Sequence, residues 1–171
     1  VSSSTTATGR FVASGGALTT YSTKDNFIKN STFDANYAMS GATAEGGAVS
    51  NVSAEVRGAS QIVEVGKLTS ANNVYKNNYA GNKTLDTTGK LWQFNGVNAE
   101  TAQGGAIYNS GVLISTADTF VNNQAFGENA YGGAIRNTIE GGLSEGGKVT
   151  LTNTAGAENF IDNLAKGTAK A

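Results

Sequence analysis

The segment GGAIYNSGVLISTADTFVNNQAFGENAYGGAI, residues 104–135, begins and ends with the same four residues. The same unit, a glycine pair followed by alanine and an aliphatic residue, also occurs twice nearer the amino terminus. The four copies are Gly15-Gly16-Ala17-Leu18, Gly46-Gly47-Ala48-Val49, Gly104-Gly105-Ala106-Ile107 and Gly132-Gly133-Ala134-Ile135. Internal repeats of this kind predict a stack of similar structural units.

A second motif alternates with the first along the chain. It consists of an aromatic residue, two variable residues, asparagine, one variable residue and alanine. The four copies are Phe33-Asn36-Ala38, Tyr75-Asn78-Ala80, Phe120-Asn123-Ala125 and Phe160-Asn163-Ala165. A shorter form occurs at Phe27 and Asn30, out of step with the others. The alternation indicates that both motifs belong to one repeating unit.

The spacing of the glycine pairs predicts the length of that unit. Successive pairs are separated by 31, 58 and 28 residues. Because 58 is close to twice either of the other values, we expect one unit near Tyr75 to have lost its glycine signature. The repeat is then roughly 29 residues, a length at which one supersecondary element stacks on the next. We treat 1–171 as a single domain or segment with repeat units at approximately 15–45, 46–103, 104–131 and 132–165.

Residues within the units alternate with a period of two, which indicates β-strands. KVTLTN, residues 148–153, places Val149, Leu151 and Asn153 on one side, and QIVEV, residues 61–65, is a weaker example. No stretch shows a sustained helical stripe. Short strands and small residues at this repeat length predict an all-β fold, a single parallel β-helix (β-solenoid) whose coils stack in parallel. At roughly 20–30 residues per coil we expect about six to eight coils.

The two motifs have physical roles in such a coil. A chain that turns the same corner in every coil needs glycine where φ is positive or where adjacent backbones approach closely. The aromatic residue fills a narrow core and stacks on its equivalent in the next coil. The asparagine can adopt the left-handed conformation, bond the turn backbone, or form a ladder with its neighbours. We therefore expect the four motif aromatics and the aliphatic residue after each GGA to be buried.

Composition excludes several classes of function. The chain has 12 Lys and Arg residues, scattered along it, and 13 acidic residues, for a net charge of −1. This balance predicts no binding to nucleic acid, and the apolar runs are too short for direct membrane insertion. The chain has no cysteine and no histidine, so it lacks thiolate chemistry and the commonest metal ligand. We expect no catalytic residues, no cofactor and no metal.

Repeated GGA[ILV] together with FxxN resembles the polymorphic membrane protein family of chlamydiae and the related β-helical passenger domains of bacterial autotransporters. The resemblance extends from about Gly15 to Ala165. Since the chlamydial proteins usually carry cysteines and this chain has none, it is similar to the broad passenger class rather than to the chlamydial branch. The resemblance implies a right-handed β-helix exported to the bacterial cell surface, where such passengers act as adhesins or structural stalks.

Adhesion and stacking are two interpretations of the motifs. Stacking explains the GGA and aromatic-asparagine copies without any chemical role. The resemblance implies an adhesive role for exposed copies, with a receptor on a host or neighbouring cell as the partner. Phe27 and Asn30 are the candidate adhesive residues, and the alternative interpretation of this copy is an extra turn.

The alternative function is a β-helical polysaccharide-degrading enzyme or a carbohydrate-binding module. Hydrolysis needs two carboxylates close in space, and stacked coils can bring distant acids together. The aspartates nevertheless occur singly along the sequence, at Asp25, Asp34, Asp86, Asp118 and Asp162. The calcium-binding nonapeptide is absent from the sequence. A threonine-ladder ice-binding face is a weaker alternative, because no regular Thr-x-Thr recurs at the repeat spacing.

The ends of the predicted stack indicate a partner. A stack of parallel coils leaves unpaired N–H and C=O groups at both ends, and neither residues 1–10 nor residues 164–171 have the pattern of a capping helix. We expect further coils to complete the β-helix, either by self-association head to tail in a fibre or by continuation in a longer parent chain. Val1 in place of methionine indicates a processed or excised piece.

Overall fold

The structure is a computed structural model, and it describes residues 2–4, 12–21, 24–56, 62–81, 83–85, 91–93, 100–139, 147–153 and 159–167. All regular elements within these residues are β-strands. In chain order they are β1 (Ser2–Ser4), β2 (Val12–Ser14), β3 (Leu18–Thr20), β4 (Asp25–Lys29), β5 (Thr32–Asp34), β6 (Tyr37–Ser40), β7 (Thr43–Glu45), β8 (Val49–Asn51), β9 (Ala54–Val56), β10 (Ile62–Glu64), β11 (Lys67–Ala71), β12 (Val74–Lys76), β13 (Tyr79–Gly81), β14 (Lys83–Leu85), β15 (Leu91–Gln93), β16 (Thr101–Gln103), β17 (Ile107–Asn109), β18 (Val112–Thr116), β19 (Thr119–Val121), β20 (Gln124–Gly127), β21 (Asn129–Tyr131), β22 (Ile135–Asn137), β23 (Lys148–Thr152), β24 (Phe160–Ile161) and β25 (Leu164–Gly167).

Strands from successive passes of the chain form five parallel sheets. Sheet 1 contains β2, β7, β16 and β21; sheet 2 contains β3, β8, β17 and β22; sheet 3 contains β4, β11, β18 and β23; sheet 4 contains β5, β12, β19 and β24; sheet 5 contains β1, β6, β13, β20 and β25. Equivalent residues of the repeats lie directly opposite one another, as Tyr75 does between Phe33 and Phe120. The prediction of an all-β stack of parallel coils is confirmed.

One strand from each sheet makes a level of the stack. The described strands form four such levels: level 1 is β2–β6, level 2 is β7, β8 and β11–β13, level 3 is β16–β20, and level 4 is β21–β25. β1 adds a strand beyond β6 in sheet 5. These strands do not confirm the predicted count of six to eight coils.

Val49 pairs directly with Ile107, so no unit separates the second and third GGA copies, and the expectation of a lost glycine signature near Tyr75 is wrong.

Two insertions explain the long spacing between those copies. β9 pairs antiparallel with β10 between β8 and β11, and β14 pairs antiparallel with β15 between β13 and β16. A segment that leaves a coil and returns to it reverses direction, so its two arms pair antiparallel. The QIVEV segment therefore contributes to an insertion through β10, and the purely parallel prediction is wrong for these four strands.

The core is narrow and is filled by one row of side chains per sheet. Tyr75, Ile107 and Phe120 are buried together with leucines from sheet 3. The predicted burial of the motif residues is confirmed at levels 2 and 3. At the two ends the prediction is wrong for Leu18, which is 38% exposed, and for Phe160, which is 45% exposed. Both belong to end levels, and the described residues form a complete neighbouring level on one side of each.

Candidate functional site: the ladders and the ends of the stack

The first glycine of each GGA copy forms a corner. The φ angle is +60° at Gly15, +61° at Gly46, +65° at Gly104 and +63° at Gly132. This is the left-handed region, which side chains other than glycine adopt at a steric cost. The first three corners also bond the next level, as where Gly46 N donates to Gln103 O at 2.9 Å. The predicted corner role is confirmed.

The second glycine of each copy lets adjacent backbones approach. A Cβ added at Gly16 would lie 2.1 Å from Gly47 O, one at Gly47 would lie 2.1 Å from Gly105 O, and one at Gly105 would lie 2.0 Å from Gly133 O. At Gly133 the nearest atom would be Leu164 N, at 2.4 Å. Real Cβ atoms do not come this close to backbone atoms, so the predicted approach of adjacent coils is confirmed at Gly16, Gly47 and Gly105. Gly133 instead faces the backbone of Leu164 in its own level.

The four motif aromatics form one continuous stack. Ring centroids are 4.9 Å apart in each of the pairs Phe33–Tyr75, Tyr75–Phe120 and Phe120–Phe160, with interplanar angles of 6°, 5° and 8°. The Tyr75 hydroxyl lies 2.8 Å from Ser70 Oγ. Burial raises the pKa of Tyr75, and the negative charge of Asp118 raises it further against the effect of the Ser70 bond. The hydroxyl is therefore neutral at physiological pH, which suits a structural role.

The motif asparagines form a ladder beside the aromatic stack. Nδ2 donates to Oδ1 of the next level at 2.9 Å in each step from Asn36 to Asn78, Asn123 and Asn163. The predicted ladder is confirmed. The predicted left-handed conformation falls one residue earlier, at Ala35, Asn77, Asn122 and Asp162, where φ lies between +50° and +55°.

A second amide ladder follows the GGA copies in sheet 2. Nδ2 of Asn51 donates to Oδ1 of Asn109 at 2.7 Å, and Nδ2 of Asn109 donates to Oδ1 of Asn137 at 2.6 Å. Sequence reasoning missed this ladder, although an asparagine follows the first glycine by five residues in GGAVSN, GGAIYN and GGAIRN. The first copy has Thr20 at this position, opposite Asn51. Oδ1 of Asn51 is buried and has no hydrogen-bond partner among the described residues.

The candidate adhesive copy lies on the outer surface of sheet 3. Phe27 is 63% exposed and pairs with Thr69 of level 2. The ammonium group of Lys29 lies 5.5 Å from the centroid of the Phe27 ring. Asn30 has a φ of +52° and directly follows β4, as Asn72 directly follows β11 in level 2. The interpretation of this copy as an extra turn is wrong, because it belongs to a regular coil strand.

Asp34 makes contacts that stabilise the turn between sheets 4 and 5. Its Oδ2 lies 3.1 Å from Lys76 Nζ, and its Oδ1 accepts a hydrogen bond from Asn77 Nδ2 at 2.9 Å. The bond from Asn77, followed by the bond and charge of Lys76, lowers the pKa of this carboxyl. Its environment favours the ionised form and a structural role.

The other aspartates are in different surroundings. Asp118 is buried, and its two oxygens accept bonds from Asn73 N at 2.8 Å and Ser115 Oγ at 2.7 Å. Asp162 has a left-handed φ of +50° in a turn, and Asp25 begins β4. Asp86 lies outside the described residues. Within the part of the chain that the structure describes, no three acidic side chains are grouped so as to hold a metal ion.

The two ends of the stack carry the largest exposed apolar side chains of the core rows. At level 4, a groove of about 570 Å³ is lined by Ala134, Ile135, Asn137, Val149, Leu151, Phe160, Asp162 and Asn163. Leu151 and Leu164 are each 46% exposed. At level 1, Leu18 is exposed while Ile28 and Phe33 are partly buried. The candidate functional surfaces are therefore the two ends and the outer face at Phe27.

Comparison with protein-family models, curated proteins and solved structures finds no match to this chain. Among the described residues there is also no helix with the length and apolar character needed to cross a membrane. The arguments for function therefore rest on the geometry of this chain.

Proposed function

We propose that this chain is a non-catalytic module of an extracellular bacterial surface protein, a right-handed parallel β-helix that serves as a structural stalk or an adhesin. One observation carries the proposal: the aromatic stack and the asparagine ladder run through all four described levels without interruption. A body held together by contacts between neighbouring levels can lengthen by adding levels. This is the property that a stalk requires.

The motif residues are used in this body for contacts between levels. At levels 2 and 3 the rings of Tyr75 and Phe120 and the amides of Asn78 and Asn123 are buried. A substrate has no access to these side chains in the folded chain. This favours a structural role over polysaccharide cleavage for the aromatic-asparagine motif.

Adhesion is assigned to the outer face of sheet 3. Phe27 is the most exposed of the large hydrophobic side chains in the described residues, and the cation of Lys29 lies over it. An exposed aromatic ring beside a cation provides apolar area together with charge complementarity for a receptor on another cell. Asn30 lies at the end of the same strand and adds an amide to this surface.

The test of surface function uses bacteria that produce the chain in its natural context. Labelled antibody should reach the chain on intact cells, and electron microscopy should show it on projections from the envelope. Purified chain should bind host or neighbouring cells, and Phe27→Ser should weaken the binding. Tyr21→Ser removes another exposed aromatic, at 54% exposure, and should leave the binding unchanged. Labelling only after cell lysis would overturn the surface assignment.

The enzyme alternative is tested separately with a panel of plant, algal and bacterial polysaccharides. We expect no release of reducing ends or unsaturated sugars. Release that disappears when a single aspartate is replaced, for example by Asp25→Asn, would reverse the proposal in favour of a polysaccharide-degrading enzyme.

A further inference from the structure

The two ends of the stack match each other in three core rows and differ in a fourth, where Asn26 of level 1 would face Val149 of level 4. In the core rows, level 4 ends with Ile135, Leu151 and Phe160, and level 1 begins with Leu18, Ile28 and Phe33 in the corresponding positions. Each pair consists of aliphatic opposite aliphatic or aromatic opposite aromatic. A second copy of the chain placed with its level 1 against level 4 would therefore continue the apolar rows of sheets 2 and 4 that already join the levels within one chain. In sheet 3 it would add a contact of Leu151 with Ile28, where the inner levels carry Ser70 and Ser115.

The amide ladder gives this contact a direction. Nδ2 of Asn163 donates to Phe120 O at 2.9 Å and has no second acceptor in the described residues, whereas Nδ2 of the equivalent Asn123 donates both to Tyr75 O and along the ladder to Asn163 Oδ1. At the other end, Oδ1 of Asn36 accepts no hydrogen bond from the described residues. Joining level 4 to level 1 brings a donor to an acceptor. A two-fold arrangement of like ends would bring donor to donor or acceptor to acceptor.

β1 occupies part of the surface that this contact needs. Ser2 and Ser4 pair with Ala38 and Ser40 on the outer edge of β6 in sheet 5. In the continued stack, β25 of the second copy would pair with that edge of β6. Its Ala165 would lie opposite Ala38, just as Ala80 of level 2 lies opposite Ala38 on the other edge of β6. The level 1 strands of the other four sheets are end strands of their sheets. β1 therefore blocks one of five strand positions.

We propose that a second copy of this chain is the partner of the open ends, joined head to tail by level 4 of one copy on level 1 of the next, and that β1 must leave β6 for this contact to form. The inference rests on the proposed stalk function and names its partner and its regulation. β1 contributes three residues of pairing, whereas the incoming level contributes strands to all five sheets. Displacement of β1 is therefore favoured when the concentration of chains is high.

A pair of edge variants tests the direction of assembly in the full chain. Leu151→Asp with Phe160→Asp disables level 4, and Leu18→Asp disables level 1. Analytical ultracentrifugation should show filaments or longer oligomers for the unmodified chain at about 1 mM, and monomers for each variant alone. An equimolar mixture of the two variants should give dimers only, because each retains one intact end of opposite kind. Ile114→Asp, which changes an exposed isoleucine of the inner level 3, should assemble normally.

A disulfide tests the role of β1. The chain has no native cysteine, so Ser4→Cys with Ser40→Cys creates a single pair at opposed positions of β1 and β6. Oxidation should hold β1 in place and block assembly, and reduction should restore it. A control pair, Thr69→Cys with Ile114→Cys, joins opposed residues of inner levels and should assemble in both redox states.

Several outcomes would overturn the inference. A chain that stays monomeric at about 1 mM would exclude the second copy as partner, and dimers of either edge variant alone would exclude the head-to-tail direction. Equal assembly of the oxidised and reduced β1 pair would exclude displacement of β1. Circular dichroism of each variant establishes that it is folded; Leu151→Ser replaces the level 4 aspartate variant, and Leu18→Ser the level 1 variant, where either is not. None of these outcomes affects surface labelling or cell binding, so failure of the inference is distinguishable from failure of the proposed function.

Discussion

The rings of Tyr75 and Phe120 lie nearly parallel, with centroids 4.9 Å apart and an interplanar angle of 5°. The separation of the rings is close to the distance of about 4.8 Å between neighbouring strands of a sheet. One aromatic residue per level therefore stacks without displacing the backbone. The stack is a consequence of the strand register, and the register is held in turn by the glycine corners and the amide ladders.

Removing a ring from the middle of the stack should cost more than removing one from its end. Phe120 is buried between two rings, so Phe120→Ala leaves a cavity and should lower the free energy of unfolding by about 3–5 kcal/mol. Phe160 is 45% exposed and stacks on one ring only, so Phe160→Ala should cost about half as much or less. Urea denaturation of both variants measures the difference. Equal losses would show that the stack is not a source of stability.

The second glycine of a GGA copy should not tolerate a methyl group. In Gly47→Ala the new Cβ would lie 2.1 Å from Gly105 O, so adjacent levels would have to separate, at a cost of about 3 kcal/mol or more. Gly41→Ala is the matched control, because no atom lies within 4 Å of its Cβ position. Thermal denaturation should show a large loss for the first variant and little change for the second. A stable Gly47→Ala protein would contradict the observed close approach.

The asparagine ladder should be most sensitive at its buried rungs. Asn78 accepts from Asn36 and donates to Asn123 and to Phe33 O. Asn78→Ala leaves several buried polar groups unpaired, and we expect a loss of about 2–5 kcal/mol in the free energy of unfolding. Asn163→Ala, at the partly exposed end of the ladder, should cost less. Similar losses for the two variants would contradict a role for burial.

The second amide ladder, which joins Asn51, Asn109 and Asn137, should accept a further asparagine at position 20 in level 1. Thr20 lies opposite Asn51, whose Oδ1 is buried and accepts no hydrogen bond from the part of the chain that the structure describes. In Thr20→Asn the new amide should donate to that oxygen, as Asn51 donates to Asn109, and should stabilise the fold by about 1 kcal/mol. Thr20→Val is the control, since it keeps the size of the side chain but adds no donor. A rise in melting temperature for the asparagine variant alone is the expected result.

Protonation of Asp34 should release its turn contacts. The bonds from Asn77 and Lys76 hold the folded-state pKa of Asp34 below the ordinary value of 3.8. A carboxyl whose pKa is lower in the folded state contributes stability above its unfolded pKa, and this contribution is lost as the pH falls through the folded pKa. Titration by carboxyl-carbon NMR should therefore give a value below 3.8. The value should rise in Asn77→Ala, and an unchanged value would contradict the assigned cause.

The sequence by itself determined the parallel stack and the roles of its two motifs. These follow from local requirements: Gly46 needs a positive φ, Gly47 needs space for another backbone, and Tyr75 and Asn78 need equivalents one repeat away. Such requirements can be seen wherever they recur along the chain. The tertiary structure decided what depends on pairing between distant segments. It showed that Val49 pairs directly with Ile107, so the extra length between them lies in the two insertions that contain β9–β10 and β14–β15, and not in a further coil. It also left Leu18 and Phe160 exposed at the two ends of the stack, because burial of a repeat residue depends on whether another level lies beyond it.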